Sequence, residues 1–438
     1  MNKMRQSSAF AKTVRYGAMF AALWCVTAQV QAWNPEIPGA PQTQPIAIVG
    51  AKIYTVAGPV INEGTILFQA GKITAIGVDI PLPKGTRQIE GKRLHVYPGL
   101  FDPYSQIGLT EISSVRATND YRETGGINPN VSAHVALNPD SELLPVARAN
   151  GVLLALSAPS GGLISGQSAV IQLDGWTYED LTLESQIGMH VQWPRQGSVA
   201  NFTASSGSSG DGNRQLSQLF DRVQEYHRSR QMGDHPVDLK MEAMVPVITG
   251  KMPVIVHANS ARTIQSAVAF CSERKLKMIL MGGYDAEHCA ALLKEHDIPV
   301  VVSGIHRLPR RRSDPYDAPY TLPERLRQQG VRFCIAGITK FGGPNLRNLP
   351  YQAGTAVAYG LPEDEAIKSI TLSPAEIYGV ADRVGSLEIG KDATLIITSG
   401  SPLETTTRTL RAFIQGREVS LVNRHTRLYR KYRARYEQ

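Results

Sequence analysis

From Pro98 to residue 375 the sequence repeats one unit, a short apolar run followed by a longer segment with helical spacing. The apolar runs are Gly151-Val-Leu-Leu-Ala-Leu, Pro253-Val-Ile-Val-His-Ala, Lys277-Met-Ile-Leu-Met, Ile298-Pro-Val-Val-Val and Val331-Arg-Phe-Cys-Ile-Ala. Residues 141–150, 263–275, 286–296 and 323–329 carry the helical spacing. Runs that are apolar at consecutive positions are strands buried on both faces, and parallel strands need crossover helices to join them. The expected fold is therefore α/β, with a (β/α)8 TIM-like barrel as the closed solution at this length.

The flanks follow a different rule. Residues 46–96 give short strands, with a tight turn at Ala70-Gly71-Lys72, and strand-like segments return at 384–398 and 409–419. Two strand-rich ends around a barrel complete one sheet only if they pair, so a small composite β-sandwich domain is expected from the N- and C-terminal segments. The domain reading is 1–32 signal peptide, 45–97 first part of the sandwich, 98–375 barrel, 376–423 second part of the sandwich, and 424–438 basic tail. Within the barrel, residues 197–213 are Gly-, Ser- and Asn-rich and predict a mobile loop. Leu216, Leu219, Phe220 and Val223 then have the spacing of a packed helix.

Lys3, Arg5, Lys12 and Arg15 precede an apolar run from Gly17 to Ala28, and Val30-Gln31-Ala32 fits a signal-peptidase site. Export to a bacterial periplasm is expected, with no transmembrane segment after cleavage. Trp24 before Cys25 is too large for a lipobox. The formal net charge is +8, of which residues 1–32 carry +4 and residues 424–438 carry +5, so the body between them is −1. A neutral body gives no phosphate-tracking surface, and no nucleic acid is expected as a partner. The tail reads as a solvated helix end, with anionic lipid or an acidic partner as the other readings. Cys271, Cys289 and Cys334 sit among apolar neighbours and read as buried hydrophobes.

Val96-Tyr-Pro-Gly-Leu-Phe-Asp-Pro-Tyr-Ser-Gln, Gly71-Lys-Ile-Thr-Ala-Ile-Gly, Ser373-Pro-Ala-Glu-Ile-Tyr-Gly-Val and Gly385-Ser-Leu-Glu-Ile-Gly-Lys-Asp-Ala together resemble the amidohydrolase superfamily, in its imidazolonepropionase-like branch. The resemblance implies the barrel and composite sheet already read from the pattern. It also implies a hydrolase acting on carbon–nitrogen bonds other than peptide bonds, with a divalent metal, usually zinc, that acidifies a water. The metal ligands of such a family converge from several strand ends.

Most of those ligands are missing. The two first-strand histidines fall on Tyr104 and Gln106, neither a competent zinc ligand at neutral pH. His257 keeps the fifth-strand position and is the one surviving metal-ligand candidate. Gly282-Gly283 stand at the sixth-strand histidine, and Ile338-Thr339 near the eighth-strand aspartate. Four of five positions are substituted, so the expected cofactor is none or a weakly bound divalent metal. His288 reads as a surface residue, His306 has Arg307 and Arg310-Arg311-Arg312 beside it, and His134, Asp120, Glu123, Asp314 and Asp317 read as solvated loop positions.

For ligand binding, the residues singled out are Tyr104, Gln106, Ser165, Arg347 and Asn348; catalytic residues remain unassigned. Ser165 belongs to a Gly/Ser loop over residues 160–168, whose backbone N–H groups suit an anion or carbonyl, and Arg347 suits a ligand carboxylate. Three functions stay open. One is a degenerate, non-catalytic barrel that binds a small molecule or forms a hetero-oligomer with an intact amidohydrolase homologue, which the missing ligands favour. Another is an altered hydrolase acting on a cyclic amide or dipeptide-like compound. The third is unrelated metal-free chemistry in the same mouth.

Overall fold

The computed structural model describes residues 37–194, 209–233, 236–337 and 342–437. The expected signal segment and residues 197–208 of the expected mobile loop lie outside that description. From Ser209 the chain is already helical, so the loop reading for residues 209–213 is corrected: Ser209–Met232 is one helix, and Leu216, Leu219, Phe220 and Val223 are its buried residues.

Eight strand positions ring a (β/α)8-like barrel. In order they are Leu100–Ser105, Val152–Ser157, the two segments Ile164–Gln167 and Ala169–Gln172 counted together, Met189–Gln192, Val254–Ala258, Met278–Gly282, Val300–Ser303 and Phe333–Ala336. Strands four to eight pair in parallel, as do one and two. The third position runs antiparallel to both neighbours, with Leu154 opposite Gln172 and Met189 opposite Gln167. The expected Gly/Ser loop over 160–168 therefore ends early. Gly161 and Gly162 hold φ of +102° and +70°, which only glycine adopts cheaply, and they turn the chain straight back into a strand at Ile164.

Two layers of side chains follow from strand alternation. Phe101, Leu154, Leu156, Val170, Ile255, Ile279, Met281, Val301 and Cys334 fill the barrel interior. Alternate residues such as Leu100, Val152, Val254, Val256 and Leu280 pack outward against the helices. The interior is plugged by Tyr378, whose hydroxyl donates to the Pro103 carbonyl at 2.6 Å. The helices 143–148 and 261–273 lie close to their expected places. The expected helix over 286–296 is split into a 3-10 turn and Ala290–Glu295, and Ala318–Gln328 begins five residues early, with Pro319 in its first turn. Cys271, Cys289 and Cys334 are free and buried.

The terminal strands form one eight-stranded sheet. Its junction is Leu395–Thr398 against His95–Pro98, antiparallel, which joins the two ends of the chain. The sheet folds over on itself, so that Phe68 and Phe413, from strands not adjacent in it, meet edge to face at 5.1 Å. Residues 384–394, expected as strand, are instead turn and loop, and pairing starts only at Leu395.

Sheet and barrel meet at a buried ion pair. Arg148 and Asp174 are 4% and 2% exposed. The Arg148 guanidinium donates to Asp174 Oδ1 at 2.6 Å, to the Leu173 carbonyl at 2.8 Å and to the Ser420 carbonyl at 3.1 Å. Asp174 Oδ2 accepts from the Gly39 N–H at 3.0 Å and faces Arg417 at 3.5 Å. Removing one partner of such a pair strands a buried charge. Arg148→Met is expected to lower unfolding free energy by about 3–5 kcal/mol, read from urea denaturation. The double variant Arg148→Met/Asp174→Leu recovers much of that loss. A single variant no less stable than the double one would show that the pair does not tie the two parts together.

Candidate functional site

A cavity of about 950 Å³ opens where the barrel strands end. Three of the residues singled out from sequence line it, Tyr104, Gln106 and His257, together with Tyr121, Ser160, Trp193, Asn259, Arg262, Tyr284 and Arg310. They come from strand ends, from the loops that follow them and, for Arg262, from the first turn of the next helix, the usual side for function in this architecture. Gln106 is oriented by its amide donating to the Ser160 hydroxyl at 2.9 Å.

The other three lie elsewhere. Ser165 is in the third strand, buried, with its hydroxyl unpaired within the protein, and it does not line the cavity. Arg347 and Asn348 sit in a 3-10 turn packed near the helix Leu143–Arg148, and the Arg347 carbonyl accepts from the Asn150 amide at 2.6 Å. Helical structure begins at Gly342, early enough to carry both residues away from the mouth. His288 is exposed beside Glu287, and His306 bonds Gln352 and Thr355 outside the cavity.

The floor holds a residue that sequence reading passed over. His190, on the four-residue strand Met189–Gln192, is fully buried, and its Nδ1 lies 2.9 Å from Nε2 of His257. Tyr104 closes the group, with ring centroids 5.3 Å from His257 and 5.9 Å from His190. Burial pushes the His257 imidazole down to about 4, and burial together with neighbouring His257 holds His190 well below its ordinary value. Burial also raises the Tyr104 phenol. All three are neutral at pH 7. Two neutral imidazoles share one proton in this bond, and either tautomer leaves His190 Nε2 without a partner. The signal for this strand was its position between Gly188 and Pro194.

These residues do not fit a metal. Zinc held by protein requires at least three convergent ligands. Among the described residues no group of three or more His, Cys, Asp or Glu converges. One ring nitrogen of His257 and one of His190 are turned toward each other. The sixth-strand ligand position is closed sterically. Gly282 has φ of +98°, and a Cβ there would lie 2.3 Å from Asn259 Oδ1; Gly283 has φ of +60°, and its Cβ would meet Val300 at 2.7 Å. No histidine enters that backbone without moving the Asn259 side chain. Ile338 and Thr339 lie outside the described residues.

Above the floor the rim is cationic. Asp285 is buried, which opposes its charge, yet Arg311, the Ala261 N–H and Arg310 hold its carboxyl below the ordinary range. Arg311 grips both oxygens at 3.2 and 2.5 Å, with Arg310 at 3.8 Å. The Arg307 guanidinium lies 3.7 Å from the Tyr284 ring centroid.

Beneath the site, Asp102 is fully buried. Its Oδ1 accepts from the N–H groups of Gly337 at 3.1 Å and Tyr104 at 3.3 Å, while Oδ2 has no partner. Burial outweighs these bonds and pushes the carboxyl up to about 7 from an ordinary 3.8. The folded chain thus binds the extra proton between those values, and stability falls as pH rises through that window. His257 acts oppositely, because its folded value of about 4 lies below the ordinary 6.5, and stability is lost as pH falls between them. Asp102→Asn removes the first contribution alone. Urea unfolding is expected to favour the variant over the wild type more at pH 8 than at pH 5, by about 2 kcal/mol. An equal difference at both pH values would mean that Asp102 is not held protonated by burial.

Comparison with known proteins bears on the chain's superfamily. The amidohydrolase family model matches residues 322–422. Amidohydrolase tasK of Hapsidospora irregularis is 22% identical over 399 residues, covering 81% of this chain and 39% of its own length. An imidazolonepropionase of Mesorhizobium japonicum is 27% identical over 147 residues, covering 33% of this chain and 34% of its own length. The match thus spans well under half the length of either relative. The crystal structure of an amidohydrolase from Thermotoga maritima superposes with a TM-score of 0.77 at 26% identity, over 86% of this chain and 99% of that one. With its barrel, its composite terminal sheet and its strand-end cavity, the chain belongs to the amidohydrolase superfamily.

Proposed function

We propose that this protein is a binding barrel, a non-catalytic member of its superfamily that holds a small molecule where relatives hold a metal-bound water. The hydrogen bond between His190 and His257 carries the reading, because it engages one nitrogen of each imidazole, and among the described residues no third ligand converges with the other two. The backbone at Gly282 supports it, since the missing ligand cannot be supplied there. A cavity walled by Tyr104, Tyr121, Trp193 and Tyr284 remains open to a ligand. Asn259 also lines it, and Trp193 Nε1 and Asn259 Oδ1 are buried without protein partners beside it. Export to the periplasm and pairing with an intact amidohydrolase homologue belong to the same proposal.

The test is metal content. The protein purified without chelators is expected to carry zinc, iron, manganese and nickel far below one equivalent per chain by mass spectrometry. His257→Ala is expected to leave that content unchanged while weakening the thermal shift given by any cavity ligand found in a screen of cyclic amides, free dipeptides and their carboxylate products. Close to one equivalent of metal, lost in His257→Ala, would overturn the proposal. It would favour the altered hydrolase, acting on a cyclic amide or dipeptide-like substrate.

A further inference from the structure

The helix Arg424–Glu437 is the one feature of the described chain whose side chains have almost nothing to pack on. Its start is firmly built. Asn423 Oδ1 accepts from the Thr426 N–H at 3.1 Å, Thr426 Oγ1 accepts from the Asn423 N–H at 3.0 Å, and Arg427 pairs with Glu142. Beyond Arg427 every described residue is exposed, and no residue of the helix is buried. A helix shorter than about 12–15 residues is marginal in water on its own, so a surface that covers this one would stabilise it.

The pattern on the helix says what kind of surface. His425, Tyr429, Tyr432 and Tyr436 recur at spacings of four, three and four, which places them on one face. The three tyrosines are 65%, 53% and 86% exposed. On the same helical period Arg433 and Arg435 border that stripe, and Arg424, Arg430 and Lys431 lie further round, with Glu437 as the only acid in the helix. Tyrosine is at home in the headgroup region of a bilayer, and long basic side chains reach from there to phosphates. A second copy of the same helix would set like charges together. Leu428 is the only aliphatic residue larger than alanine, so the helix has nothing with which to penetrate deeply, and no described helix is long and apolar enough to cross a membrane. The charge is also concentrated here, since residues 424–438 carry +5 while the body carries −1.

We propose that the helix Arg424–Glu437 lies on an anionic lipid surface, tyrosine face inward, and tethers the barrel to it. The proposal is independent of what the cavity binds.

Sedimentation with vesicles tests it, using the chain from residue 33 onward so that the apolar N-terminal segment does not contribute. All described structure begins at residue 37. The protein is expected to partition onto phosphatidylglycerol vesicles and not onto phosphatidylcholine vesicles, and to be released by salt. Each cation near an anionic surface contributes roughly fivefold, so Arg424→Gln/Arg433→Gln/Arg435→Gln is expected to lose about a hundredfold in partitioning. Tyr429→Ser/Tyr432→Ser/Tyr436→Ser is expected to lose less, and to leave the urea midpoint of the body unchanged, as is the charge variant. No partitioning onto phosphatidylglycerol at low salt overturns the proposal and points to an acidic protein as the occupant. Equal partitioning onto both vesicles, or a charge variant that partitions like the parent, overturns it as well.

Discussion

The buried contact between Arg148 and Asp174 is where the separate parts of this chain become one body. Four segments far apart in sequence end on it: the N-terminal strand region through Gly39, the helix before the second barrel strand through Arg148, the third strand through Leu173 and Asp174, and the C-terminal segment through Arg417 and Ser420. A buried ion pair gains little net stability over apolar packing, but it tolerates no unsatisfied partner. It therefore favours one mutual arrangement of barrel and terminal sheet. The apolar interface between them has no comparable directional requirement.

With the scaffold held in that way, the barrel mouth has changed without collapsing. Three adjustments act together. Tyr104 fills the space of a ligand with an aromatic ring, His190 and His257 satisfy each other, and the Gly282-Gly283 turn admits the Asn259 side chain close against its backbone. Each alone would leave an orphaned polar group or a void. In combination they leave few, and those few belong to residues that face the cavity or lie directly behind it.

The barrel was legible because most of its strands are uninterrupted apolar runs alternating with helical spacing. The terminal sheet was legible because both ends lacked helical spacing. What sequence missed has physical causes. The antiparallel third strand was hidden by its glycines and serines, which read as loop although Ile164, Ala169 and Ile171 are core residues. His190 was hidden because a strand of four residues gives too little periodicity to register. Arg347 was misplaced because a helix start is poorly marked when glycine and proline open it. Asp102 was plain within its motif, yet burial, the property that makes it unusual, is not written in sequence.

The electrostatics of the mouth follow from the same changes. The imidazoles of the floor are neutral, and burial raises the carboxyl of Asp102 beneath them to about 7. The rim still carries Arg262, Arg307, Arg310 and Arg311 around the single buried carboxylate of Asp285. An entering molecule thus meets cations first and uncharged donors and acceptors afterwards. Field acts at the rim and contact at the floor, so the two depths make separate demands on whatever enters.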